Sequence, residues 1–304
     1  EIHERLVGSE MCIRDSCDTI TVMRDGYAIS SKPTRETNME QVVRDMVGRS
    51  ITEYYPGPTN EPGEIVLEVK NFCQEGLFNN ISFKLRKGEI LGVAGLMGAG
   101  RTEIMRALFG VDSCKHGEVY LHGKKVCIKK PEDAIKAGIG FITENRKSEG
   151  LILDFSISRN IALPSVETFA KRSVINAKNE TAFSEALSKK LGVKTASIDL
   201  EAGALSGGNQ QKVVIAKWIG MNPSIIIMDE PTRGIDVGAK RDIYDLMNEL
   251  TSQGVAIIMV SSELPEVIGM SDRILVIHEG KIAGELDHEE ATQEKIITLA
   301  TGGQ

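Results

Sequence analysis

The run Gly95-Leu96-Met97-Gly98-Ala99-Gly100-Arg101-Thr102 has the residue types needed to close a backbone around phosphate oxygens. Gly95, Gly98 and Gly100, with the small Ala99, let main-chain N–H groups approach an anion. A helix starting here adds the partial positive charge of its N-terminus. Thr102 is placed to bind magnesium through its hydroxyl. Arg101 stands where such loops carry lysine; it keeps the charge, but its planar fork is bulkier than a compact ammonium. A second cluster, Asp229-Glu230, ends the apolar run 225–228. This pairing suits Asp229 to the Mg²⁺ shell, while Glu230 orients the attacking water or accepts its proton. The third cluster is Leu205-Ser206-Gly207-Gly208-Asn209-Gln210-Gln211-Lys212. Ser206 and the paired glycines open a helix and present a hydroxyl and free N–H groups to an anion.

The elements around these residues are legible. Gly88-Glu89-Ile90-Leu91-Gly92-Val93-Ala94 reads as a strand entering the phosphate loop, and the helix after it runs through Leu108 and stops at Gly110. That is the strand–loop–helix setting such a loop requires. The runs 225–228 and 255–260 have the length of buried parallel strands and are far too short to span a bilayer. Ligands collect at the C-terminal edge of a parallel sheet, where the Asp229-Glu230 pair falls.

An internal repeat divides the chain. Cys17-Asp18-Thr19-Ile20-Thr21-Val22-Met23-Arg24-Asp25-Gly26 aligns without a gap to Ser271-Asp272-Arg273-Ile274-Leu275-Val276-Ile277-His278-Glu279-Gly280. The constant offset of 254 residues carries Gly26 to Gly280 and Gly48 to Gly302. Each copy reads as strand, turn, strand and a closing helix. Residues 17–50 are therefore expected to be the tail of a first domain, and residues 51–63 a linker punctuated by Pro56, Gly57, Pro58, Pro62 and Gly63. A second domain follows over 64–304. Residues 1–16 fit neither copy and read as a non-native junction, so that the chain begins in mid-protein.

Composition narrows the function class. A formal net charge of −7 opposes a surface built to grip nucleic acid. The cysteines Cys12, Cys17, Cys73, Cys114 and Cys127 are scattered, without a CxxC pair, and read as free thiols of a reducing compartment. His116, His122, His278 and His288 lack metal-ligand spacing.

Taken together, residues 95–102, 205–213 and 230–240 (Glu-Pro-Thr-Arg-Gly-Ile-Asp-Val-Gly-Ala-Lys) resemble the ATP-binding subunits of bacterial ribose, galactose and xylose ABC importers, which carry two cassettes in one polypeptide. Arg101 and the Arg-Gly-Ile-Asp-Val-Gly-Ala-Lys run resemble the second cassette of that group. The resemblance implies an α/β fold of the ABC-type P-loop NTPases: a mostly parallel sheet core, an antiparallel β subdomain, and a helical subdomain at about 148–204 that faces a membrane permease. It implies ATP and Mg²⁺ as cofactors. ATP contacts would come from Gly95, Gly98, Ala99, Gly100, Arg101, Thr102, Ser206, Gly207, Gly208, Gln210 and Asp236, with Thr102 and Asp229 at the metal. Asp236 would belong to the loop that crosses to the partner cassette. The implied partners are the first cassette of the same polypeptide, an integral membrane sugar permease and, indirectly, a sugar-binding receptor, with no nucleic acid. The implied place is the cytoplasmic face of the membrane.

Two further positions depart from the family pattern. Glu144 stands where the family has its loop glutamine, and Glu263 where it has its switch histidine. With Glu230 they form the candidate catalytic set. An acid near a terminal phosphate repels developing charge where Gln or His would donate a hydrogen bond. The expectation is a site that binds ATP and hydrolyses it weakly, in a cassette whose Ser206 loop completes the first cassette's site. Phe72 or Phe78 could stack on adenine, or belong to the core. Two other classes compete. One is a soluble ABC ATPase acting on ribosomes or DNA, which the short, acidic, Pro-rich linker disfavours; the other is a regulatory nucleotide-binding module without turnover.

Overall fold

A computed structural model of the chain describes residues 17–24, 27–37, 41–42, 45, 55–171 and 174–303. The expected junction at 1–16 lies outside the described residues, as do 25–26, 38–40, 43–44 and 46–54 within the expected tail and linker. The first element is a hairpin of β1 (Thr19–Arg24) and β2 (Tyr27–Pro33). The body begins with β3 (Ile65–Gln74) and β4 (Phe78–Arg86), followed by β5 (Ile90–Gly95), α1 (Arg101–Phe109), β6 (His116–Leu121) and β7 (Lys124–Val126). Then come α2 (Pro131–Lys136), β8 (Ile139–Ile142), α3 (Ile157–Ala162), α4 (Val166–Phe169), the small strands β9 (Ala170–Lys171) and β10 (Val174–Ile175), and α5 (Ala177–Lys190). The last third holds α6 (Gly207–Ile219), β11 (Ile225–Asp229), α7 (Val237–Ser252), β12 (Ala256–Val260), α8 (Leu264–Met270), β13 (Arg273–His278), β14 (Lys281–Asp287) and α9 (Gln293–Ala300).

Six strands form the central sheet in the order β14-β13-β5-β12-β11-β8, with every pair parallel except β13–β14. Its inner strands β11 and β12 are buried along their whole length, as strands covered on both faces must be. A second sheet, β4-β3-β6-β7, is antiparallel throughout. Residues between β8 and β11 are mainly helical, interrupted by the β9–β10 hairpin. This is the three-part layout expected from the sequence. Because β5, β11 and β12 are parallel neighbours or near neighbours, their C-terminal ends deliver the phosphate loop, Asp229-Glu230 and Ser261 to one edge.

The repeat persists in hydrogen-bonding register. Thr19 pairs Pro33 and Arg24 pairs Tyr27 in the first hairpin; Arg273 pairs Asp287 and His278 pairs Lys281 in the second, each at the same offset. Both ladders carry an irregularity at the same place, Val22/Met23 and Val276/Ile277. The turn after each also matches. Thr34 N–H donates to Asp18 O at 2.9 Å, and His288 N–H to Asp272 O at 3.0 Å. The two copies differ in their neighbours: β13 lies against β5, and Ile277 is buried, whereas Met23 is exposed.

Candidate functional site

The phosphate loop leaves β5 at Gly95 and enters α1 at Arg101. Gly100 caps that helix in the left-handed region at φ 99°, a conformation that other L-residues rarely adopt. No side chain caps the helix, so its N-terminal N–H groups are left for an anion. Thr102, in the first turn, faces the end of β11 across a cavity of about 60 Å³ that Asp229, Thr143, Glu144 and Asn145 also line.

Asp229 is 1% exposed, and neither carboxylate oxygen has a hydrogen-bond partner. Burial lifts its pKa from 3.8 to about 6, against the opposing influence of the Thr102 hydroxyl and the Arg101 charge. Thr143 Oγ1 is likewise buried and unpartnered on the same cavity. A cluster of unpaired oxygens around a space of this size fits a small hard cation that keeps water and phosphate in its shell. Among the described residues no group of three or more His, Cys, Asp or Glu could hold a metal unaided. A cation here would need phosphate oxygens as further ligands, which a nucleotide supplies.

Glu230 follows directly, with φ 49°, a strained value for a residue with a side chain. Ser262 Oγ donates to its carboxylate at 3.1 Å, and Arg101 lies 3.8 Å away. Its pKa is raised by burial, with Ser262 and Arg101 opposing. Arg101 also donates to Ser261 O at 2.8 Å. Ser261 and Thr232 in turn donate to the buried Glu266, the latter at 2.8 Å. Thus Arg101, unlike a free phosphate-loop cation, is tied to the carboxylate strand.

The two acidic departures are each matched by a base. Glu144 pairs with Arg233, and Glu263 takes both carboxylate contacts from Lys240, at 2.5 and 2.7 Å. Arg233 and Lys240 both belong to the 230–240 run that carries the family resemblance. Glu144 shares the Thr102–Asp229 cavity; Glu263 lies beside Ser261, donating its N–H to Ser261 Oγ at 3.0 Å.

The Ser206 loop is built differently. Ser206 precedes α6 as its N-cap with extended backbone, and its hydroxyl accepts from Asn209 Nδ2 at 2.9 Å. Gly207 and Gly208 are glycine for want of room. A Cβ on Gly207 would lie 2.8 Å from the Arg146 guanidinium, and one on Gly208 would lie 2.9 Å from Ala239 Cβ. Asp236 caps α7 by accepting from Ala239 N–H at 3.0 Å, which places its loop beside Gly208. Gln210 is 3% exposed and donates to Ala202 O at 3.3 Å, an inward contact beneath the loop. Gly95, Gly98, Ala99, Arg101 and Thr102 thus gather with Asp229, Glu230 and Glu144 at one edge. Ser206, Gly207, Gly208 and Asp236 form a second group held together by α6 and α7.

Arg146 joins the two groups, and sequence reading missed it. Its guanidinium donates to Arg233 O at 2.6 Å and Gly234 O at 3.0 Å while packing on Gly207. A few residues on, Gly150 O accepts from the buried Lys217 of α6 at 2.5 Å, and Glu149 lies 3.9 Å from Arg106 of α1. Nothing in a lone arginine within a polar loop signals such a role. Phe72 and Phe78, the two aromatic candidates for adenine, are 5% and 3% exposed and stack on each other with centroids 5.6 Å apart. Both are core.

Comparison with known proteins agrees with this fold. The ABC transporter family model matches residues 78–233, more than half of the chain. The ribose import ATP-binding proteins RbsA of Bacillus licheniformis and Bacillus subtilis are each 60% identical over 95% of the chain, and that of Oceanobacillus iheyensis is 61% identical over 94%. The chain spans 58% of the length of each of these relatives. Among solved structures, an ATP-binding cassette of an ABC transporter superposes with a TM-score of 0.66 at 23% identity, covering 77% of this chain and 98% of that one. A dimeric cassette in a post-hydrolysis state with ADP and Pi gives 0.62 at 22% identity, covering 73% and 98%. The fold, the loop at 95–102 and the family match lead to one statement: this chain belongs to the ABC transporter family, with the α/β P-loop fold of its ATP-binding cassettes.

Proposed function

We propose that residues 64–304 are the second cassette of a tandem ATP-binding subunit that energises import of a monosaccharide of the ribose, galactose or xylose class. In this reading residues 17–50 are the tail of the first cassette, 51–63 the linker, 1–16 a non-native junction, and about 148–204 the helical subdomain that meets an integral membrane permease. The subunit works peripherally at the cytoplasmic face, and a sugar-binding receptor supplies the permease. The matched register of the two hairpins supports duplication, and the 60% identity to ribose import proteins supports the substrate class.

At this cassette's own site, phosphates rest on residues 95–102, and Thr102 and Asp229 hold Mg²⁺ with Thr143 beside them. The metal, when bound, neutralises phosphate charge. Glu230 receives the proton of the attacking water or orients it, and its pKa, raised by burial, suits a base. Arg101 neutralises Glu230 instead, and neither Glu144 nor Glu263 donates a hydrogen bond to a terminal phosphate. This site therefore binds ATP and turns it over weakly. Ser206 and the N–H groups after it complete the first cassette's site, with Asp236 crossing beside them.

The observation that carries this reading is the contrast between an intact Ser206–Gly208 loop and an Arg101–Glu230 pair across the chain's own site. In the full tandem protein, Glu230→Gln is expected to leave steady-state ATPase unchanged. Ser206→Ala lowers it by about 100-fold, the order seen when one phosphate-stabilising donor is lost. Abolition of turnover by E230Q would show that this cassette hydrolyses ATP and sink the reading.

A further inference from the structure

Residues 55–60, within the expected linker, lie against the second domain with side chains and backbone both engaged. The Tyr55 ring covers Gly269 of α8: a Cβ there would fall 2.6 Å from Tyr55 Cγ and 2.7 Å from Tyr55 Cβ. Glycine inside a helix costs stability relative to alanine, so this seven-residue helix forgoes propensity where the ring needs room. The same ring meets the buried Tyr244 of α7, with centroids 5.4 Å apart. Gly57 O then accepts from the amide of the buried Asn248, also on α7, at 2.9 Å. Asn60 Nδ2 donates to Gly88 O at 3.1 Å, at the entrance to β5. Between these contacts Pro56 and Pro58 fix φ, which leaves the segment less freedom to lose on docking.

The contacts fall on two helices that begin at the candidate site. α7 starts at its Asp236 cap and α8 directly after Glu263. The Lys240–Glu263 pair ties the helices at that end. Tyr55 ties them again farther along, between Tyr244 and Gly269. A slide of α8 along α7 would have to expel the ring.

We propose that residues 55–60 are a strap that stays docked on α7 and α8 throughout turnover. Tyr55 is its positioning residue: it holds the two helices, and with them Asp236 and Glu263 at their starts, at a fixed spacing. The docking is a property of this chain alone, whereas its persistence through turnover rests on the ATPase reading above. The tail of the first domain then meets the second at Tyr55 rather than at residue 64.

The test is a covalent lock. Tyr55→Cys with Gly269→Cys puts two thiols where a small outward shift of the strap gives the Cβ separation of about 3.8 Å that a disulfide needs. Oxidised glutathione takes up the two electrons and two protons as the S–S bond forms, and leaves as two reduced molecules. In the 304-residue chain, without nucleotide, peptide mapping is expected to find this bond in nearly all molecules. In the full tandem protein the locked form is expected to keep ATPase turnover within about twofold of its reduced form. Tyr55→Ala, by contrast, lowers turnover of the folded tandem protein by about tenfold, because the helices lose their spacing. Gly269→Ala lowers the melting temperature when Tyr55 is present, and raises it by about 2–4 °C in the Tyr55→Ala background, where alanine simply favours the helix. A folded double-cysteine chain that forms no disulfide overturns the docking. A locked protein that loses about tenfold in turnover and recovers on reduction overturns its permanence. Full turnover in Tyr55→Ala overturns the positioning role. Absence of turnover in the unmodified tandem protein overturns the ATPase reading instead, while disulfide formation in the 304-residue chain still decides the docking.

Discussion

The phosphate loop and the Ser206 loop both depend on glycine, for opposite reasons. Gly98 and Gly100 take positive φ with no atom crowding Gly98 at all, so the backbone shape is what matters. Gly207 and Gly208 have no such φ, but a methyl group at either would strike Arg146 or Ala239. Buried charge divides the same way. Asp229 is opposed in its burial only by the nearby Thr102 hydroxyl and Arg101 charge, whereas Lys217, beneath the Ser206 loop, has Gly150 O at 2.5 Å and the Trp218 ring at 5.1 Å. Burial draws the Lys217 pKa down to about 8. The phosphate side is thus a receptacle with unmet bonding capacity. The Ser206 side is a packed surface whose shape is already set.

The largest effect should follow from spoiling that shape. Gly208→Val pushes a branched side chain into Ala239 and tilts α6 against the Asp236 loop. If the Ser206 side serves a partner's site, turnover of the tandem protein falls by about 100-fold, as misplacements near 1 Å do. If nucleotide binding to the 304-residue chain uses the phosphate side, it stays unchanged. Equal loss on both sides would erase the comparison.

On the phosphate side, Asp229→Asn separates ligand binding from stability. The folded state holds a proton on Asp229 up to about pH 6, above its ordinary 3.8. Its contribution to stability is therefore full below about pH 4 and is lost as pH rises through 6. Removing the charge should stabilise the chain without ligand by up to about 3 kcal/mol at pH 7.5, fading towards nothing near pH 4. The same variant should weaken Mg²⁺-dependent nucleotide binding by at least roughly tenfold. Denaturant melts at both pH values, with a nucleotide titration, check this. Destabilisation at pH 7.5 would mean that Asp229 is a satisfied structural acid.

Much of this was legible in the residues. The loop at 95–102, the acids after residues 225–228 and the Ser206 helix announced themselves by local type and spacing, because each depends on contiguous backbone. The repeat was legible too, and the structure adds an irregularity at equivalent positions in both ladders that the alignment alone does not show. The pairings Glu144–Arg233 and Glu263–Lys240 were not, since each joins loops far apart in sequence. Reading the acids alone suggested bare negative charge at the phosphate, whereas each is neutralised by a base of the 230–240 run. Arg146 escaped for the same reason: its partners are backbone carbonyls, which no residue pattern encodes. The fate of Phe72 and Phe78 needed the pairing of β3 with β4, across which the two buried rings stack.

The smallest predicted effect tests those neutralised acids. Glu144 and Arg233 are substantially exposed, so their ion pair adds little to stability, and Glu144→Gln should change it by under about 0.5 kcal/mol. Glu144 nevertheless shares the cavity of Thr102 and Asp229. Replacing it with an amide removes a negative charge and adds a donor facing the phosphates. Because Arg233 already compensates that charge, nucleotide affinity of the 304-residue chain should rise by only about two- to threefold, and less at high salt. A titration at two ionic strengths measures this. A gain of about 100-fold would mean that Glu144 acts as an unscreened acid at the phosphate.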